Sequence, residues 1–177
     1  MQAKSSLALV AIAAVVGLAF SYAPDGEWIV RLRGAGPVAY GMTVPEAARQ
    51  SSDSLRTVHV GARDSARCRV LVPNKMAGLR LVSQGGEIVR TDVERPGVRT
   101  LSGVGVGSSV QALRRAYGTQ VHMEPRPGGE AGDHYVVYVP RDRFDRDFRV
   151  VFETTDGRVT AYRSGLLSSI KSDVGCP

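Results

Sequence analysis

The chain has 177 residues, of which 43% are hydrophobic, 23% charged and 6% aromatic. That balance suits one globular domain, or two small ones sharing a core, and excludes disorder, collagen and coiled coil. The 23 Lys plus Arg against 17 Asp plus Glu give a net charge of +6, but acidic residues are interspersed with the basic ones, which argues against a nucleic-acid-binding stripe.

Lys4, the apolar run from Leu7 to Phe20 and the small residues Ser21 and Ala23 have the pattern of a secretory signal peptide over residues 1–23. The run has 14 residues, fewer than the roughly 20 that a membrane-spanning helix needs. Pro24 directly follows the site, which leaves open a cut after Ala19 or a retained N-terminal anchor. Residues 24–177 are therefore expected outside the cytoplasm, periplasmic or secreted, as a single domain.

Trp28 to Leu32 alternates its apolar residues and predicts an opening strand that covers a sheet edge. Thr43 with Glu46 three residues on is a capping-box arrangement, and Pro45 suits the first turn of a short helix ending near Ser51 to Asp53. Arg69 to Val72 reads as a strand ended by Pro73. Leu79 to Val82 and Ile88 to Val93 form a hairpin about Gly85 and Gly86.

Gly103, Gly105 and Gly107 precede a second helix, but their spacing is wrong for a dinucleotide loop, so they read as a strand-to-helix turn. Ser109 caps that helix, Val110, Leu113, Ala116 and Tyr117 fall at helical spacing, and Gly118 stops it. Thr119 to Asp133, with two prolines and several glycines, reads as a long solvated connection. Tyr135 to Val139 is a strand. Arg141 to Arg149 alternates Arg with Asp, which predicts local ion pairs rather than a calcium loop. Phe148 to Phe152 and Val159 to Tyr162 make a second hairpin about Asp156 and Gly157.

Four stretches match in order: Gly36 to Val44 with Ser102 to Val110, Leu71 to Pro73 with Tyr138 to Pro140, Leu79 to Val82 with Phe148 to Val151, and Gly86 to Val89 with Gly157 to Thr160. The expected architecture is α+β: two tandem helix-plus-antiparallel-strand repeats, about 34–100 and 101–177, sharing one core. A unit of that size buries only about 60% of its unfolded surface alone.

Cys68 and Cys176 are the only cysteines, and export predicts a disulfide between them. No ligand spacing among His59, His122 and His134 suggests a metal, no G-x-S-x-G elbow is present, and no cofactor is expected. His122, Glu124 and Arg126 on the long connection, with Arg141 and Arg143, are the candidate binding residues.

The segments Tyr40 to Ala47 and Val106 to Gly118 resemble exported helix-plus-sheet modules. The G-M-T-x-x-E-A opening is similar to the SmpA/OmlA (BamE-like) lipoprotein domain and to the tandem repeats of β-lactamase-inhibitor proteins. The chain looks still more like bacterial secreted proteins ending in Gly-Cys, here Gly175 and Cys176. BamE-like proteins carry a lipidated N-terminal cysteine, which has no counterpart here.

The expected function is that of an exported non-catalytic binding protein, of inhibitor or immunity type, acting on another exported protein. An envelope structural or assembly component held to anionic surfaces is the alternative, and a hydrolase the second alternative. Neither nucleic acid nor metal is expected as a partner.

Overall fold

A computed structural model describes residues 28–58, 68–170 and 176 of the chain. The leader and His59 lie outside the described residues. Eleven strands and three α-helices are described, and the strands make two antiparallel sheets. β1 (Val30–Arg31), β2 (Gly34–Ala35) and β3 (Val38–Ala39) form a small sheet of three. The large sheet contains β4 (Leu55–Val58), β5 (Cys68–Pro73), β6 (Leu79–Gln84), β7 (Glu87–Val93), β8 (Val121–Pro125), β9 (His134–Tyr138), β10 (Phe148–Thr155) and β11 (Arg158–Leu166). Its order is β4-β5-β6-β7-β11-β10-β9-β8, so strands distant in sequence meet at the β7–β11 seam.

This corrects the expected α+β class of two helix-plus-strand repeats. The helices α1 (Val44–Ser51), α2 (Val110–Tyr117) and α3 (Leu167–Ile170) are only eight, eight and four residues long, too short to form a layer of their own. The dominant element is one continuous eight-stranded sheet. The collinear sequence matches fall on two helix starts, on β3 of the small sheet and on strands of the large one.

Two further expectations change. Thr119 to Asp133 is not a plain connection, because it contains the edge strand β8 paired with β9. The opening strand covers no edge of the large sheet; it pairs with β2, and Val30 bridges to Thr100.

Local chemistry explains the helix positions. Thr43 accepts the Glu46 N–H at 3.4 Å while the Glu46 carboxylate takes the Thr43 N–H at 2.9 Å, a reciprocal cap. The Thr43 hydroxyl, donating to that carboxylate at 2.7 Å, and then the Thr43 N–H hold the Glu46 carboxyl below its ordinary range. Ser109 accepts the Ala112 N–H at 3.1 Å, and Gly118 ends α2 with positive φ. The starts of α1 and α2 are each tied to a hairpin turn of the large sheet, Val44 N–H to Gly86 O and Val110 N–H to Gly157 O.

The main core lies on the face under α1, α2 and the small sheet. Leu71, Leu79, Leu81, Ile88, Val93, Val136, Val150, Phe152, Val159 and Tyr162 project there against Trp28, Val38, Ala47 and Leu113. A second, smaller cluster forms around Cys68, Val82 and Val89, with Leu166 and Cys176 against it. Cys68 and Cys176 are disulfide-bonded, with Cα atoms 5.7 Å apart. No helix among the described residues is long and apolar enough to cross a membrane.

Candidate functional site

The face of the large sheet opposite the main core is where charge collects. Strand register places its side chains in rows, because residues paired across antiparallel strands share a face. One row runs His122, Val137, Val151, Arg163, Asp92 and Arg80 across six strands. The next holds Glu124, Tyr135, Glu153 and Ala161, and a third holds Arg149, Gly165, Arg90 and Val82.

Two ion-pair groups are built into these rows. Arg90, fully buried, presents Nε at 2.7 Å and Nη2 at 3.0 Å to the two oxygens of Asp92. Its Nη1 donates to the carbonyl of Ser169 in α3. Arg163, also buried, places Nη1 3.1 Å from Glu153 and its guanidinium 5.4 Å from the Tyr135 ring centre. Arg126 reaches the other oxygen of Glu153 at 3.5 Å and also pairs with Asp133. The Asp133 carboxyl is held below its ordinary range, chiefly by the Thr155 hydroxyl and further by the Glu130 N–H and Arg126.

On the core side of the same seam, the Tyr40 hydroxyl is buried beside Ser164 and Thr91, and burial pushes its phenol up. Ser164 in turn donates to the carbonyl of Arg31 at 2.9 Å, linking the small sheet to β11.

After β11 the chain turns back as α3, which packs over β10, β11 and β7. Leu167 N–H donates to Asp147 O, and Ser169 Oγ to Val89 O. Between α3 and β8 to β11 lies a cavity of about 310 Å³. Val137, Val151, Leu167, Ile170 and the Tyr135 ring give it apolar walls, while Arg149, Arg163 and Glu124 supply charge.

The expected binding residues divide around this cavity. Glu124 lines it, His122 lies exposed in the neighbouring row, and Arg126 is joined to it through Glu153 and Arg163. Arg141 and Arg143 do not line it. Arg141 donates to the Thr119 hydroxyl at 2.6 Å, and Arg143 lies over the ring of Phe144. The ion pairs expected within 141–149 are partly replaced by a distant one, Asp145 with Arg33 at 2.5 Å. Of the two described histidines, His134 donates Nδ1–H to the Gly132 carbonyl at 3.0 Å.

No local motif in the sequence marks Arg149, Arg163 or Tyr135. Their only signal there is strand alternation, which places them on the face away from Val150, Phe152 and Tyr162.

No protein-family model matches the chain, and no curated protein matches it. Among solved structures it is similar to the uncharacterized protein YfeY from Escherichia coli, at TM-score 0.48 and 14% identity, over 77% of this chain and 99% of that one. It is also similar to an extracellular SCP-domain protein from Bacillus anthracis, at TM-score 0.46 and 8% identity, over 73% of this chain and 45% of that one.

Proposed function

We propose that the chain is an exported, non-catalytic binding protein of inhibitor or immunity type, which engages another exported protein through the second face of its large sheet. The carrying observation is the cavity between α3 and β8 to β11, whose apolar walls include the Tyr135 ring and which Arg149, Arg163 and Glu124 also line. Aromatic and arginine side chains around a desolvated pocket are the residues that dominate protein recognition. The disulfide fits an oxidising compartment outside the cytoplasm.

Site-specific photo-crosslinking tests this reading. A benzophenone side chain at position 124, which lines the cavity, should cross-link one exported protein saturably in intact cells. The same probe at Arg49, exposed on α1, should not. Equal labelling from both positions, or none from position 124, would overturn the proposal. Attachment that anionic vesicles compete for and that salt abolishes would instead assign the envelope-surface role, because exposed charges are screened within about 8 Å at physiological ionic strength.

A further inference from the structure

We infer that the cavity roofed by α3 is a seat for the C-terminal residue of a partner polypeptide, its carboxylate on Arg149 and Arg163 and its apolar side chain against Val137, Val151, Leu167 and Ile170. This rests on the binding role proposed above and specifies the chemistry it recognises.

The charge bookkeeping of the cavity decides the sign of the ligand. Glu153 is already engaged on both oxygens, by Arg163 and by Arg126. The face of Tyr135 is covered by the Arg163 guanidinium. Among the charged side chains that line the cavity itself, Arg149 and Arg163 outnumber Glu124, so the lining favours an anionic ligand whose carboxylate sits away from Glu124.

The donors are different. Arg163 is 4% exposed, yet its buried Nε has no hydrogen-bond partner among the described residues. Buried N–H groups are nearly always satisfied, so a guanidinium that lines the cavity while one of its donors is unpaired has capacity left for an acceptor. Arg149 donates Nη1 to the carbonyls of Arg146 at 2.8 Å and Phe148 at 2.6 Å, which fixes the plane of its fork. Its Nε and Nη2 have no partner among the described residues. Arg149 and Arg163 sit on adjacent strands, diagonal to one another on one face, a spacing of about 7–8 Å between backbone positions that long side chains can bridge. A planar carboxylate matches two guanidinium forks better than any neutral acceptor does.

Size and access select the rest of the ligand. A cavity of about 310 Å³ lies at the lower end of ligand pockets, roughly 300–1,000 Å³. It suits one branched or aromatic side chain with its carboxylate, and the remainder of the ligand must stay outside. Glu124 places one wall of the cavity on β8, the edge strand of the large sheet. An apolar residue at the end of a polypeptide meets all three conditions.

Titration calorimetry on the disulfide-bonded chain tests this with acetylated tetrapeptides ending in Leu, Val or Phe, each as free acid and as C-terminal amide. At least one free acid should bind saturably, its amide at least tenfold more weakly. Arg149→Gln should weaken the acid at least tenfold and the amide by much less, so that the ratio of acid to amide affinity falls. No saturable acid, or acid and amide binding equally, overturns the inference on the unaltered protein, whatever the variant does. N-acetyl-leucine binding as tightly as the tetrapeptide acid also overturns it, in favour of a free small carboxylate. If cross-linking from position 124 succeeds while every acid fails, the binding role stands and this seat falls. If an acid binds but no exported protein cross-links, the role falls and the seat remains.

Discussion

Arg90 and Asp92 are two residues apart on β7 and both point away from the main core, yet both are buried. Removing a charge of this kind from water is costly, and the return depends on geometry. Here the geometry is a two-pronged guanidinium–carboxylate contact, with the Ser169 carbonyl taking a third donor. The pair's effect is therefore asymmetric. Arg90→Met should cost about 3–5 kcal/mol, because it strands the Asp92 carboxylate in a dry site. Adding Asp92→Leu should recover most of that loss. Urea midpoints of the two single variants and the double variant would show the pattern, and additive losses would contradict it. None of this is legible in the sequence, where Arg90, Asp92, Glu153 and Arg163 look like ordinary surface charges on alternating strands. The burial of Arg90, Asp92 and Arg163 follows from partners on other elements, among them α3, whose Ser169 carbonyl accepts from Arg90.

At the scale of elements, the seam between β7 and β11 joins strands that are far apart in the chain, and Gly165 is the residue that lets them meet. A Cβ there would stand 2.6 Å from the Val89 carbonyl oxygen and 2.9 Å from the Arg90 Cα, both backbone atoms that cannot swing aside. Gly165→Ala should therefore destabilise the fold by about 1–3 kcal/mol, the usual range for overpacking a tight interior, and speed hydrogen exchange at the β7 and β11 amides ahead of those of β5 and β9. A variant as stable as the parent would mean the seam can shift.

The elements written in local chemistry are those the sequence shows. The Thr43–Glu46 box, the Ser109 cap, the stop at Gly118 and the turns at Gly85–Gly86 and Asp156–Gly157 all depend on neighbours within a few residues. β8 escapes notice for the opposite reason. Its alternation covers only Val121 and Met123 before Pro125 and the glycines beyond, which read as a loop, and four of its five residues are exposed. Reading two helix-plus-strand units likewise weighted two clear caps too heavily, since a cap announces where a helix starts and says little about how much of the fold it forms. The candidate site divides along the same line. Glu124 and Arg126 stood out because their segment is irregular in sequence, whereas Arg149 and Arg163 depend on a long-range pairing that no local pattern encodes.

For the whole molecule, the covalent link matters most where the fold closes. Cys68 begins β5, near one side of the large sheet, and Cys176 is the penultimate residue, so their bridge spans 108 positions of sequence. In the chain-entropy account, closing a loop of that size removes roughly 4–5 kcal/mol of freedom from the unfolded chain. The link also holds the end of the chain on the face where α3 roofs the cavity, beside Val82, Val89 and Leu166. Two consequences can be separated. Replacing both cysteines with serine should lower the urea midpoint by an amount equivalent to no more than that 4–5 kcal/mol, since engineered and native bridges commonly deliver less than the entropic limit. If the bridge acts on the unfolded chain alone, amide exchange through α3 should slow or quicken only in step with global stability. If it also clamps the tail, the Leu167 and Ser169 amides should exchange faster than the β10 and β11 amides under conditions where the sheet remains intact, because local opening requires less free energy than global unfolding. The packing of Leu166 and Cys176 in one cluster favours the second outcome, and an α3 that stays as protected as β10 in the serine variant would refute it.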